Sequence, residues 1–303
     1  MKLCMVGCGR WGKAYLKTIQ KIRSISVEWI ILRKSKPKIE GNYNFSYNLN
    51  DLLEKEKVDG VIIVSPPDTH FEFAKICIKK RIPILIEKPF TASYKQSKFL
   101  IEEFNKHKLV CMVGYQHLYS EKYKLLKKKN PKIGKIDNIY SISLSDGPFR
   151  KKISVIRDWG SHEVALAIDL FDDLPKSVII KKINKNCTNL FKGVYSLNMK
   201  FSRGRQFNSL FGNQSLFKKN HLILEYEKGL IYQDNLSQYG NLTISKNKFQ
   251  NLDEIFQSYS FPLESLIKEF QKNVKNKNYS TNMYLSLNVN KILDQLERKA
   301  LSH

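Results

Sequence analysis

The 303-residue sequence predicts an α/β protein with an N-terminal doubly wound parallel sheet and a C-terminal α+β domain carrying a large, mainly antiparallel open sheet. Two observations support this. In the first part of the chain, short apolar runs alternate with amphipathic segments, which favours parallel strands joined by helices. Further along, strand-like segments follow one another across short turns, which favours antiparallel pairing. We therefore predict domains at 1–115 and 116–303.

The elements of the first domain can be assigned in order. An apolar strand begins the chain and runs into a glycine-rich turn, which is followed by a helix at 11–22. Further strands are predicted at 27–32, 60–64, 83–86 and 109–113, and helices at 49–56, 69–80 and 93–106. The run at 60–64 (Gly-Val-Ile-Ile-Val) is apolar throughout, which is typical of a parallel strand covered on both faces.

The second domain has a different pattern. We predict helices at 120–129, 162–171, 262–275 and 282–299, and strands at 135–144, 177–184, 194–202, 205–212, 221–226, 229–233 and 241–245. Pro262 suits the first position of its helix, where the missing N–H costs nothing. An open sheet leaves one face needing cover, so we expect a homodimer or a homotetramer.

Composition limits the class of protein. The sequence has no apolar run of about 18 residues, so we expect no membrane span, and we see no signal peptide. The five cysteines are scattered without the spacing of a metal site, so we expect reduced thiols, no metal and a cytoplasmic location.

The formal net charge of +24 is unusual. The lysines are dispersed, and asparagine and isoleucine are also abundant, which favours compositional bias and a solvated basic surface. A functional alternative is a basic cleft that attracts a phosphorylated substrate. We find neither a basic stripe interleaved with aromatic residues nor a nucleic-acid module, so we expect no nucleic-acid partner.

The glycines of the first turn have G-x-G-x-x-G spacing. Gly7 permits the tight turn, Gly9 leaves the backbone open to a pyrophosphate, and Gly12 lets the helix pack against the strand. The N-terminal N–H groups of that helix would then face the anion. Alone the pattern is weak, but its position between a strand and a helix strengthens it.

Two further loops follow predicted strands, at the sheet edge where ligands bind in doubly wound folds. The first, Ser-Pro-Pro-Asp-Thr-His at 65–70, is rigid and could line the cofactor; it could equally be a turn with Asp68 or Thr69 as N-cap. The second contains Glu87-Lys88-Pro89, in which Lys88 could stabilise negative charge on a substrate oxygen and Glu87 could orient it. A surface ion pair is the alternative.

A third group lies in the second domain. Asp158 and His162 are four residues apart across Gly160, at the start of a predicted helix. An imidazole can take the proton from an alcohol as its hydride leaves, and a nearby carboxylate could orient the ring or contact the substrate. The alternative is a helix N-terminus with incidental polar residues.

Together these segments resemble the Gfo/Idh/MocA family, the glucose–fructose oxidoreductase and inositol dehydrogenase group, over nearly the whole chain. The resemblance implies a Rossmann domain, an NAD(P)-dependent oxidoreductase, and a sugar, nucleotide sugar or polyol as substrate. It implies that His162 is the catalytic acid/base, and that Lys88 and Asp158 bind and polarise the substrate. Asp169 falls later than the family pattern places its second acid, so it receives no role. The implied cofactor-binding residues are Gly7, Gly9, Arg10, Trp11, Gly12, Ser65, Pro66, Pro67, His70, Glu87 and Lys88.

The choice of cofactor depends on the end of the second strand. An NAD-specific site usually places an acid there for the ribose 2′-hydroxyl. This chain has Arg33, Lys34 and Ser35 instead, which could hold a 2′-phosphate by charge-assisted hydrogen bonds. We therefore favour NADP, with NAD as the alternative because some relatives hold NAD without that acid.

The sequence thus predicts a dehydrogenase or reductase acting on a CH–OH group of a sugar-like small molecule. Segments around 113–120 and 155–158 resemble family members of surface-polysaccharide pathways. The competing interpretation is a nucleotide-binding sensor or scaffold without redox turnover, which would have no need of Lys88, Asp158 and His162 together.

Overall fold

The computed structural model describes residues 1–33, 36–127, 133–183, 189–236, 241–245, 248–251 and 261–301. The chain forms two compact units, one of Met1–Ser120 with Ser260–Asn290 and one of Glu121–Tyr259 with Lys291–His303. The segment at 260–290, which the sequence analysis placed in the second domain, therefore lies with the first unit.

The first unit is built on a six-stranded sheet. Its strands are β1 (Lys2–Val6), β2 (Ser26–Ile31), β3 (Asn44–Ser46), β4 (Gly60–Ile63), β5 (Ile84–Ile86) and β6 (Cys111–Val113). They pair in parallel in the order β3-β2-β1-β4-β5-β6. The order reverses between β1 and β4, and such a switch point opens a crevice at the carboxyl ends of the strands.

Helices connect these strands and cover the sheet. They are α1 (Arg10–Ile19), α2 (Leu49–Lys55), α3 (His70–Lys79) and α4 (Tyr94–Lys106). Two of them have capping side chains: Asn48 Oδ1 accepts from the first turn of α2, and Ser93 Oγ accepts from that of α4. Each cap satisfies N–H groups that the helix itself leaves without partners.

The C-terminal helix of the first unit completes its core. This helix, α8 (Pro262–Lys275), begins with Pro262, as the sequence predicts. Leu266 and Phe270 of α8 are fully buried in one cluster with Leu3 and Met5 of β1. This burial explains why the segment leaves the second unit and returns to the first.

The second unit is built on an eight-stranded mixed sheet. Its strands are β7 (Ile136–Asp146), β8 (Ser177–Lys182), β9 (Val194–Lys200), β10 (Gln206–Gly212), β11 (Gln214–Tyr226), β12 (Gly229–Asp234), β13 (Asn241–Ser245) and β14 (Lys248–Asn251). Their order is β14-β13-β12-β11-β7-β10-β9-β8. The β7–β10 pair is parallel and the other pairs are antiparallel, so the predicted fold class is confirmed.

Within the described residues of this unit lie the helices α5 (Glu121–Lys127), α6 (Val155–Asp158) and α7 (Gly160–Phe171). The last helix, α9 (Met283–Leu301), contributes residues to both units. None of the helices in the described ranges has the length and apolar character needed to cross a lipid bilayer.

The sequence analysis missed some elements. Strand β3 has three residues and lies at the sheet edge, too short for a periodic pattern. Strand β11 begins at Gln214 instead of 221, because its first half is mostly exposed and its pairing with β7 is interrupted between Gln214 and Lys219. The four-residue helix α6 also has too few residues for a helical period.

The described cysteines are free thiols. Cys4, Cys77 and Cys111 are buried, and burial raises the pKa of the Cys4 thiol to about 12. Thiols in such surroundings react slowly, because the thiolate is the reactive form. Cys187 lies outside the described residues.

Candidate active site

The glycine turn has the geometry that the motif predicts. Gly7 has φ +95°, and a Cβ there would lie 3.0 Å from the backbone of Ser65. A Cβ on Gly12 would lie 2.7 Å from Gly7 O, so only glycine lets α1 approach the end of β1. At both positions, backbone atoms of the protein occupy the space that a side chain would need.

Gly9 differs from the other two glycines. A Cβ on Gly9 would meet no heavy atom of the described structure within 4 Å. Gly9 is the N-cap of α1, so it offers no side chain to the N–H groups of the first turn. Open space in front of helix N–H groups suits a phosphate, and the glycine leaves that space clear.

The loop after β4 is held by internal hydrogen bonds. Ser65 Oγ lies 2.7 Å from Thr69 Oγ1, which donates to Pro66 O at 2.7 Å. Thr69 is the N-cap of α3, the position the alternative interpretation gave it, but its hydroxyl is used inside the loop. Pro66 is exposed, and Ser65 and Pro67 are half-buried. This loop follows β4, the strand next to β1, so it lies at the same sheet edge as the glycine turn.

His70 is fully buried beneath this loop. Its Nδ1 lies 3.0 Å from Pro89 O and its Nε2 lies 3.0 Å from Ser65 O. Burial lowers the pKa of His70, although the carbonyl contacts work in the opposite direction. Since both ring nitrogens face backbone carbonyls, His70 fastens the loop after β4 to the loop after β5. It would therefore act on a cofactor through these loops instead of by direct contact.

The loop after β5 carries Glu87 and Lys88. Glu87 is only 7% exposed, and its carboxylate Oε1 accepts from Tyr15 Oη at 2.7 Å. Its Oε2 accepts from the Lys88 backbone N–H at 3.2 Å. Lys88 itself is half-buried. The structure thus places the Glu87 carboxylate against the Lys88 backbone N–H, and the orienting role of Glu87 stays a prediction.

The other residues predicted to bind the cofactor follow β1 and β2 in the sequence. Arg10 is exposed and Trp11 is half-buried at the start of α1. Arg33 is exposed two residues after β2. Lys34 and Ser35 lie outside the described residues. Of the three residues predicted to bind a 2′-phosphate, the structure therefore describes Arg33.

In the second unit, Asp158 ends α6 and His162 lies in the first turn of α7. Asp158 is buried, and its Oδ2 lies 3.1 Å from Arg150 Nε. His162 is half-buried, and its backbone N–H donates to Trp159 O at 3.0 Å. Two successive helical turns therefore carry the predicted acid and base, and Arg150 adds a positive charge beside the acid.

The segment before α7 is anchored by ion pairs. Ser154 Oγ accepts from the Arg157 N–H and caps α6. Arg157 binds two carboxylates of α9, with Nη2 2.5 Å from Asp294 Oδ1 and Nε 2.7 Å from Glu297 Oε2. Partly buried pairs with several hydrogen bonds hold a segment in one conformation.

Two side chains of α5 contact the Asp169 carboxylate. Tyr123 Oη donates to its Oδ2 at 2.5 Å, and Lys127 Nζ lies 2.8 Å from its Oδ1. These contacts join α5 to α7 and engage both carboxylate oxygens of Asp169.

Sequence reasoning missed three polar residues of these sites: Tyr15, Arg150 and Glu163. Glu163 follows His162 in the chain, is buried, and accepts from Ser209 Oγ of β10 at 2.7 Å. Burial raises the pKa of Glu163, and hydrogen bonds from Ser209 and Ser141 offset part of that rise. The one local signal was an acidic residue within an otherwise apolar helix face.

Comparison with known proteins identifies the first unit. Residues 1–115 match the model of the GFO_IDH_MocA family, described as an oxidoreductase family with an NAD-binding Rossmann fold. The resemblance to the Gfo/Idh/MocA family is therefore confirmed over residues 1–115 of the chain. The matched region contains the glycine turn and both cofactor loops described above.

Curated relatives match part of the chain. A myo-inositol 2-dehydrogenase of Thermotoga maritima is 26% identical over 180 residues, which cover 57% of this chain and 53% of that protein. A 4-carboxy-2-hydroxymuconate-6-semialdehyde dehydrogenase of Sphingobium is 25% identical over 134 residues, or 43% of this chain and 42% of that protein. The chain thus matches about half the length of these relatives.

Solved structures match the fold of the whole chain. The UDP-N-acetylglucosamine 3-dehydrogenase of Acidithiobacillus ferrooxidans has a TM-score of 0.85 at 18% identity, covering 100% of this chain and 98% of that one. At this identity the likeness shows the fold, and it covers the second unit as well as the first.

Proposed function

We propose that this protein is a nicotinamide-dinucleotide-dependent oxidoreductase that transfers hydride between the cofactor and a hydroxyl-bearing carbon of a sugar-like molecule. One observation carries the proposal: a Cβ on Gly9, the N-cap of α1, would meet no heavy atom of the described residues within 4 Å, and this turn lies at the switch point of a parallel sheet. This is the place and the geometry that a dinucleotide pyrophosphate requires.

The residues present fit such a cofactor. The backbone of Gly9, Arg10 and Trp11 would receive the pyrophosphate, and Ser65 to Pro67 would line the ribose and nicotinamide. Arg33, together with Lys34 and Ser35, would bind a 2′-phosphate, which favours NADP over NAD. When bound, the cofactor supplies the carbon that accepts or returns the hydride.

The family resemblance assigns the proton transfer to a residue of the second unit. His162 would take the hydroxyl proton during oxidation and return it during reduction, a role that its half-buried position allows. Asp158 would orient or polarise the substrate, with Arg150 compensating its charge at 3.1 Å. Lys88 of the first unit would stabilise negative charge on the reacting oxygen.

The substrate class follows from the relatives and from the charge. The compared proteins include an inositol dehydrogenase and a nucleotide-sugar dehydrogenase. A basic cleft, the functional alternative for the net charge of +24, would attract a diphosphate-bearing substrate. We therefore favour a nucleotide sugar over a free polyol, in surface-polysaccharide biosynthesis. A homodimer or homotetramer remains our expectation.

The test is turnover with a matched pair of histidine variants. Nucleotide-stripped protein would be given NADP⁺ or NAD⁺ and a panel of nucleotide sugars and polyols, following the absorbance of the reduced nicotinamide. His162→Ala should lower turnover by about 10²–10⁴-fold with unchanged cofactor affinity. His221→Ala, which removes a histidine that hydrogen-bonds to Tyr232 in the second sheet, should have little effect.

Near-full turnover in His162→Ala would remove that residue from the mechanism. Tight cofactor binding without conversion of any panel member would favour the sensor or scaffold interpretation.

A further inference from the structure

The Glu87 carboxylate receives hydrogen bonds from two separate elements of the first unit. Tyr15 Oη donates from α1, and the Lys88 N–H donates from the loop after β5. Glu87 as a whole is 7% exposed, so these donors take the place of water that an exposed carboxylate would bind. Glu87 therefore links the helix of the glycine turn to the loop that carries Lys88.

The surroundings of the carboxylate are shaped for it. A Cβ on Gly114 would lie 2.8 Å from Glu87 Oε1, so the glycine after β6 leaves the room that the carboxylate occupies. Tyr15 is fully buried, and both burial and the neighbouring Glu87 raise its pKa. The phenol thus remains protonated and can act as a donor over the whole physiological pH range.

We propose that Tyr15 is a positioning residue that holds Lys88 in place, through Glu87, relative to the N-terminal turn of α1. Tyr15 touches neither cofactor nor substrate in this account. The inference rests on the proposed function, since it makes the pyrophosphate helix and the substrate lysine parts of one rigid arrangement. It adds a residue that lies eight positions after Gly7 and outside every motif of the sequence.

Removing the phenol hydroxyl has a specific physical consequence. In Tyr15→Phe the ring still fills its place in the core, but Oε1 of a buried carboxylate loses its donor. The carboxylate then gains by turning toward water, and this motion withdraws Oε2 from the Lys88 N–H. Lys88 becomes free to move relative to α1.

The first readout is amide hydrogen exchange in the protein without nucleotide. Tyr15→Phe should speed exchange at the Lys88 amide by about tenfold, the change expected for losing a hydrogen bond to a charged group. Strands β1 and β4 should exchange as in the wild type. Tyr123→Phe is the matched control, since it removes a phenol that donates to Asp169 in the second unit, and it should leave Lys88 unchanged.

The second readout is the affinity for NADPH and NADH, followed by nicotinamide fluorescence. Tyr15→Phe should weaken dinucleotide binding by about three- to tenfold, because part of the binding energy must then order the loop. In a Glu87→Gln background, where the buried charge is gone, adding Tyr15→Phe should change Lys88 exchange by less than about twofold.

Two results would overturn the proposal. Lys88 exchange in Tyr15→Phe within about twofold of the wild type would show that the link does not exist. Equal acceleration throughout the first unit would show that Tyr15 only stabilises the core. If the wild type binds neither dinucleotide, the proposed function fails, whereas the exchange experiment still decides whether Tyr15 positions Lys88.

Discussion

Replacing Gly9 with alanine separates the binding role of the turn from its folding role. Gly9 has φ −75°, which alanine adopts without strain, and the new methyl would meet no protein atom within 4 Å. Alanine is a poorer N-cap than glycine by about 0.5–1 kcal/mol. It also lowers the entropy of the unfolded chain, which returns about 0.4–1 kcal/mol. The free energy of unfolding should therefore change by less than about 1 kcal/mol.

Dinucleotide binding should respond very differently. The methyl group projects into the space that we assign to the pyrophosphate, and overpacking of this kind costs about 1–3 kcal/mol. That cost corresponds to a loss of affinity of about 5- to 150-fold. The phosphate would also be held away from the N–H groups of α1, so we expect the upper part of that range.

The assay pairs thermal unfolding with fluorescence titration of NADPH and NADH. Gly9→Ala should unfold within a few degrees of the wild type and bind poorly. Gly12→Ala provides the contrast, because its methyl would lie 2.7 Å from Gly7 O and should lower both stability and binding. Wild-type affinity in Gly9→Ala would refute the assignment of the pyrophosphate to this turn.

Three further variants test other parts of the account. Arg33→Ala should weaken NADPH binding by about tenfold and leave NADH binding unchanged. Lys79→Ala, at another exposed position, is the charge-matched control. Equal losses for both cofactors would contradict the 2′-phosphate assignment. His70→Gln should weaken binding of both cofactors. Because burial lowers the pKa of His70, the unfolded chain takes up its proton first on acidification. Wild-type stability, measured by denaturant unfolding, should thus fall below about pH 6.5 more steeply than that of His70→Gln; parallel pH profiles would contradict this. Burial raises the pKa of Glu163 in the folded protein. The stability that protonated Glu163 contributes is therefore lost as the pH rises through this raised pKa. Glu163→Gln should remove that loss in the same unfolding series.

Local patterns were sufficient to predict most of the first unit. The glycine spacing predicted the turn, and apolar runs located every strand of its sheet except the short edge strand β3 to within a few residues. The glycine spacing and the apolar runs are both set by residues close together in the sequence, as the positive φ of Gly7 illustrates. The loops after β4 and β5 were found for the same reason, because each directly follows a buried strand.

Long-range pairings were beyond the sequence. Glu87 was recognised as a partner for Lys88, but its second donor, Tyr15, is 72 residues away. The contact of Arg150 with Asp158 and that of Glu163 with Ser209 also depend on how segments fold back. A single chain contains no periodicity that reports such contacts.

The assignment of α8 shows the same limit. Its amphipathic pattern predicted a helix beginning at Pro262, and the structure confirms that helix. The pattern did not show which core the apolar face would join. Phe270 packs with Leu3 of β1, and a Cβ on Gly60 would lie 3.1 Å from the Phe270 ring, so the partner is decided by tertiary fit.

The most direct test of the account is titration of the nucleotide-stripped wild-type protein with NADPH and with NADH, followed by nicotinamide fluorescence. We expect saturable binding of both cofactors, with NADPH the tighter. Tighter binding of NADH would keep the dinucleotide site and reverse the cofactor preference. Binding of neither would contradict the central claim that the glycine turn of this chain holds a nicotinamide dinucleotide.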